Sequence, residues 1–180
     1  MINLKIFGVT LLAISVAASA VLVATGFQNI MATAQTTDGN STAVEFMAIQ
    51  YSESGSISPI NATTYSLELS NVSDSTILFS DRPNRIVTSV STSDFVGNWT
   101  AGPDSFESDV PNDALIVENT QTGNLETAVI ESFNPMYDAN TNTLTYTIVA
   151  ENATSINLPS EFGHSVAVID STGNQKIPPY

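Results

Sequence analysis

Two arginines, Arg82 and Arg85, stand three positions apart in a chain with only four Lys and Arg residues against 18 Asp and Glu. Arginine presents a planar fork of donors that matches a carboxylate, so the pair is expected to find acidic partners, with Asp104, Glu107 and Asp109 the candidates. The expected structure is an ion-paired corner holding the turn at 80–85 against the loop at 104–112. The competing reading is a pocket where both guanidinium groups bind an anionic ligand or a glycan carboxylate. Asp104, Glu107, Asp109 and Asp113 also crowd four acids into ten positions. Calcium takes roughly six to eight oxygens from carboxylates and carbonyls, and such a loop could supply several. It lacks the spaced ligands, central glycine and terminal glutamate of an EF-hand, so these four remain weak calcium candidates beside the reading of a solvated acidic loop.

Other chemistries meet firmer limits. The chain has no cysteine, which excludes disulfides, thiolate zinc sites, iron–sulfur clusters and cysteine nucleophiles. Its one histidine, His164, could join Met47 or Met136 around copper, but such sites take more soft or nitrogen ligands than are present; a loop position is expected. A Ser–His–Asp arrangement would have to use His164, and no nucleophile-elbow sequence accompanies it. Paired carboxylates are easily drawn from 18 acids, yet glycoside hydrolysis needs a cleft and the loops are short. No catalysis and no cofactor are expected. The formal charge of −14 argues against nucleic acid and against docking on an anionic membrane surface.

The N-terminus carries an address. Lys5 precedes an uncharged run at 6–27, followed by Ala32-Thr33-Ala34, the small-x-small pattern of signal cleavage. The expected organisation is a signal peptide at 1–34, a polar tether at 35–42 and a single domain at 43–180. An uncleaved membrane anchor competes, because the apolar run is long enough to span a bilayer. Asn-x-Ser/Thr sites occur at Asn40, Asn61, Asn71, Asn98 and Asn152. Behind an export signal they fit a glycosylated surface protein, with Asn98 the least suitable because Trp99 beside it reads as core.

The elements that must position these residues are β-strands. Short runs rich in Val, Ile, Thr, Tyr and Phe recur between Gly, Asn, Asp, Ser and Pro clusters, the pattern of an all-β domain. Strands are expected at 44–51, 64–69, 76–79, 86–90, 114–118, 126–132, 143–151 and 165–169. In Tyr65-Ser66-Leu67-Glu68-Leu69 apolar and polar side chains alternate, as do those of Leu144, Tyr146 and Ile148 against Thr145 and Thr147. One face is then buried and one wet, as in an antiparallel β-sandwich. A turn is expected at 138–142, where Asp and Asn suit local backbone hydrogen bonds. One short helix is expected at 93–99, capped by Thr92 or Ser93, with Phe95 and Trp99 on one face plugging an end of the sandwich.

From Leu78-Phe79-Ser80-Asp81-Arg82-Pro83-Asn84-Arg85, through Phe95 and Trp99, to Asp104-Ser105-Phe106 and Asp109-Val110-Pro111-Asn112-Asp113-Ala114-Leu115, the chain resembles a family of small exported bacterial and archaeal proteins. The likeness continues through Leu144-Thr145-Tyr146 to Val168-Ile169-Asp170. Val110 and Asp113 depart from the second proline and small residue expected in the last long motif. The resemblance implies export and a shared fold, and no biochemical activity.

Three functions compete. The first is a cell-surface binding or structural protein whose partner is an unidentified protein or glycan, touching membrane only through an uncleaved N-terminus. The second is a pilin-like filament subunit that retains its apolar helix, and the third is a calcium or copper binding protein.

Overall fold

The computed structural model describes residues 44–102, 105–150 and 156–170. The expected signal, the tether up to residue 42, Asn40, Asp104 and Asn152 lie outside the described residues. Among the described residues no helix is long and apolar enough to cross a membrane.

The body is an antiparallel sheet of nine strands with one short helix. In chain order these are β1 (Met47–Pro59), β2 (Thr64–Val72), β3 (Ser75–Phe79), β4 (Val87–Ser91), α1 (Thr92–Gly97), β5 (Asn112–Glu118), β6 (Leu125–Asp138), β7 (Thr143–Ala150), β8 (Glu161–Phe162) and β9 (Ser165–Ile169). The pairings run in a circle: β1 pairs β2, β2 pairs β7, β7 pairs β6, β6 pairs β5, β5 pairs β9, and β9 returns to β1. β1 is the hub. Its first half lies between β9 and β3, its second half between β8 and β2, and β4 extends the sheet beyond β3.

Alternation along the strands builds the core. Leu67 and Leu69 of β2, Leu115 and Val117 of β5, Leu144 and Ile148 of β7, and Ile169 of β9 all point inward and are buried. Each such side chain contributes roughly 1.5–3 kcal/mol through the apolar surface it removes from water. Between β6 and β7, Asp138 Oδ1 accepts from Asn140 N at 2.9 Å, and Asn142 takes a left-handed φ of 50°. The turn expected at 138–142 forms in this way.

Several boundaries differ from expectation for identifiable reasons. β1 runs on to Pro59 through the Ser- and Gly-rich Ser52–Ser58 stretch, because backbone partners on both edges outweigh weak strand propensity there. β6 continues to Asp138 past Pro135, where its register with β7 shifts between Phe133 and Met136 and Asn134 adopts a φ of 47°. A bulge of this kind lets proline remain in a paired strand. The helix is shorter than expected, and its cap is Ser91, whose Oγ accepts from Asp94 N at 3.0 Å and donates to Asp94 Oδ2 at 2.6 Å. Trp99 lies beyond α1, in a turn where its N–H donates to Val96 O at 3.1 Å.

Candidate binding surface

The motif corner is closed by a serine. Ser80 is buried; its N–H donates to Ile86 O at 2.9 Å and its Oγ accepts from Ile86 N at 2.8 Å. Inside this bracket Arg85 N donates to Asp81 O at 3.0 Å, with Arg85 at a left-handed φ of 51°. Asp81, Arg82, Pro83 and Arg85 are all exposed. Among the described residues the guanidinium groups are not buried against acids; Glu107 and Asp109 are themselves exposed, and Asp104, the other candidate partner, lies outside the described residues. These two bonds, one from the Ser80 backbone N–H and one to its hydroxyl, tie both ends of the turn together without calling on the arginine side chains.

The aromatic residues of the motif set do converge. Trp99 stacks on Phe106 with centroids 4.6 Å apart, meets Phe95 edge-on at 6.0 Å, and tilts against Tyr146 of β7 at 5.7 Å. All four are buried. Offset and edge-on contacts of this kind add roughly 0.5–1.5 kcal/mol per pair beyond area burial. Beside them an open cleft of about 370 Å³ is lined by Val96, Trp99, Phe106, Phe133, Pro135 and Met136, among others, with Glu107 its one acidic group.

Of the four acids considered for calcium, the three described ones do not act as a set. Asp113 is the second residue of β5 and its side chain points into the core, only 2% exposed, away from exposed Glu107 and Asp109. Among the described residues no three His, Asp or Glu side chains gather around a common point. The neighbouring motif residues divide, with Pro111 buried and Asn112 half-buried at the start of β5.

Asp113 belongs to a line of interior polar groups that sequence reasoning missed. Burial pushes its carboxyl up to about 7, although the Ser132 hydroxyl favours the ionised form; Asp170 adds to the rise. Asp113 Oδ1 and Ser132 Oγ have no hydrogen-bond partner of ordinary geometry. Tyr146 donates to Gln50 Oε1 at 2.8 Å, Gln50 Nε2 donates to Thr76 Oγ1 at 3.4 Å, and Thr76 Oγ1 lies 3.1 Å from Thr92 Oγ1. Thr92 Oγ1 ends the line by donating to Ser73 O at 2.7 Å. Burial, with the charge of Asp113 behind it, raises the Tyr146 phenol far above its ordinary range. These groups hold strands together and are closed off from solvent.

The outer face of the same strands is apolar. Directly paired residues share a face, so the register defines two rows. One runs Ile77, Ile49, Val168, Ala114, Val129 across β3, β1, β9, β5 and β6. The other runs Tyr51, Val166, Ile116, Thr127 across β1, β9, β5 and β6. Neither row contains a charge. Ile77, Val129 and Tyr51 are 43%, 47% and 42% exposed, and the remaining apolar members are half-buried. Glu53, Glu118, Glu131 and Asp170 stand at the margins of this belt, on or beside the same strands. His164 stacks on Tyr51 at 5.8 Å, with its Nδ1 2.7 Å from the phenol oxygen, at one edge of the belt. The alternation of apolar residues predicted the buried face, whereas the half-buried second face becomes visible only with the register known.

The described sequons differ in setting. Asn61 is exposed in the β1–β2 turn, where its Oδ1 accepts from Thr63 N and Thr64 N, both at 3.0 Å. Asn71 is exposed at a φ of 50° and its Nδ2 donates to Glu53 Oε2 at 3.2 Å. Asn98 is half-buried and uses its Nδ2 to cap α1 through Asp94 O at 2.8 Å. No family model, no curated protein and no solved structure matches this chain.

Proposed function

We propose that the chain is an exported, N-glycosylated, acidic protein whose β-strands form a two-layered sandwich, akin to small exported prokaryotic proteins, and that it serves at the cell surface in a binding or structural role without catalysis. The observation that carries this reading is the uncharged belt on the outer face of β3, β1, β9, β5 and β6, with the acids Glu53, Glu118, Glu131 and Asp170 at its margins. An apolar sheet face of that breadth on a protein of net charge −14 suits contact with another macromolecule. The strongly perturbed groups, Asp113 and Tyr146, sit in the closed interior, where they serve cohesion and not a reacting substrate.

Two measurements on protein from its native source test this reading. Intact mass is expected to place the N-terminus at Gln35 and to show hexose-bearing adducts at Asn61 or Asn71. Replacing Ile77 and Val129 by Gln is expected to release the protein from the cell surface while leaving its melting unchanged. A mature N-terminus near residues 5–8 would instead make it a filament subunit, and unaltered surface retention would remove the belt from the account.

A further inference from the structure

The circular pairing leaves β1, β2, β5, β6, β7 and β9 with a strand on each side, and β3 lies between β1 and β4. β4 pairs with β3 alone, so among the described strands of five residues or more it carries the open edge. Unpaired N–H and C=O groups along an edge are a template for another strand, and proteins commonly guard them with charge, proline or a bulge. Val87-Thr88-Ser89-Val90-Ser91 has neither charge nor proline, and its register with β3 is continuous over all five residues. Val87 is 67% exposed.

We infer that the β4 edge is the seat of a two-fold contact with a second copy of this chain, the two β4 strands pairing antiparallel about Ser89. The inference goes beyond the function proposed above. The choice of occupant comes from charge. Arg82 and Arg85, the only arginines in the sequence, are exposed just before β4, and exposed Asp94 follows it at the start of α1. Pairing about Ser89 sets Val87 beside Ser91 of the second copy, and because the strands run antiparallel the end of β4 that Arg85 precedes faces the end of the second copy's β4 that Asp94 follows. Each copy then offers a cation where the other offers an anion, twice over, which is the self-complementarity that a two-fold interface requires. An uncharged strand between these ends lets two chains of like net charge approach closely. Ser89 also pairs with Ile77, so the contact brings the two outer belts together across a pair of uncharged serines.

Because the chain has no cysteine, single thiols give a clean test in the full-length protein. Ser89→Cys, treated with a short bis-maleimide, is expected to yield mostly cross-linked dimer on a denaturing gel, a readout insensitive to any association through the N-terminus. Thr122→Cys, also exposed, in the β5–β6 turn, is expected to remain monomer. Mixing Val87→Cys chains with Ser91→Cys chains is expected to cross-link better than either alone. Adding Arg85→Glu to Ser89→Cys is expected to lower the dimer yield several-fold, as is molar salt. Circular dichroism verifies that each variant is folded. Equal yields from Ser89→Cys and Thr122→Cys, or a Ser89→Cys yield indifferent to Arg85→Glu and to salt, would overturn the inference.

Discussion

Tyr146 on β7 donates a 2.8 Å hydrogen bond to Gln50 on β1, tying together two strands of the ring that do not pair with each other. Both residues are buried, so neither group has water to fall back on. The bond stands at the head of the interior line that passes through Thr76 to Thr92. Tyr146→Phe should cost about 1–3 kcal/mol, since it leaves the Gln50 carbonyl oxygen buried without a donor. Tyr146→Phe combined with Gln50→Leu should cost less than the two single changes added together, because no orphaned group remains on that pair. Urea unfolding of the three variants measures the difference.

The corner at 80–85 should depend on its serine and be indifferent to its arginines. Ser80→Ala removes the acceptor for Ile86 N and is expected to cost about 1–2 kcal/mol. Arg82→Ala is expected to stay within about 0.5 kcal/mol of the parent, as exposed substitutions generally do. Thermal melts of the two variants side by side check this order, and a larger loss at Arg82 would favour the ion-paired clamp.

Asp113 gives the fold a definite response to pH. Its native carboxyl holds a proton up to about pH 7, whereas the unfolded chain releases it near the ordinary aspartate value of 3.8. Between those values the native state binds more protons than the unfolded one, so this group's contribution falls as pH rises through the window and stays lowered above it. The full loss is on the order of 4 kcal/mol. Asp113→Asn should flatten that part of the stability profile and raise the melting temperature at pH 8. Denaturation of both proteins between pH 4 and pH 8 supplies the comparison.

Gly55 should tolerate no side chain. A Cβ there would fall 2.5 Å from Phe162 Cε2 and 2.6 Å from the Glu68 carbonyl oxygen, so both a buried ring and a neighbouring strand would have to move. Gly55→Ala is expected to destabilise by about 1–3 kcal/mol or more, as overpacking does. Adding Phe162→Leu should recover only part of the loss, since the backbone contact with Glu68 remains. Melting temperatures of the single and double variants decide the point.

Residue by residue, the sequence shows why some of this fold could be read and some could not. Alternation in Tyr65–Leu69 and Leu144–Ile148 located β2 and β7, and Asp138 with Asn140 marked the turn between β6 and β7. These are local signals, generated by neighbours in the chain. The Ser- and Gly-rich half of β1 has no such signal, because its strand conformation comes from β2 and β8 on either side. The acidic run also misled, since Asp113 looks like its neighbours in sequence and differs from them by pointing inward from β5. Opposite charge suggested acidic partners for Arg82 and Arg85, whereas among the described residues the turn is closed by Ser80 and Ile86, a local bond that charge counting does not reveal. The aromatic cluster was legible in part: Phe95 and Trp99 were paired by their spacing, while Phe106 and Tyr146 join them through the tertiary fold.

Ala48 pairs with Ile169, which joins one of the first strands to leave the ribosome to one of the last. The chain between them must be looped out until the final strand arrives, and that loop carries a large entropic cost before any contact repays it. A nascent or truncated polypeptide therefore stays pliant and unlatched until β9 is present. Such delayed locking makes β9 the step at which synthesis becomes structure.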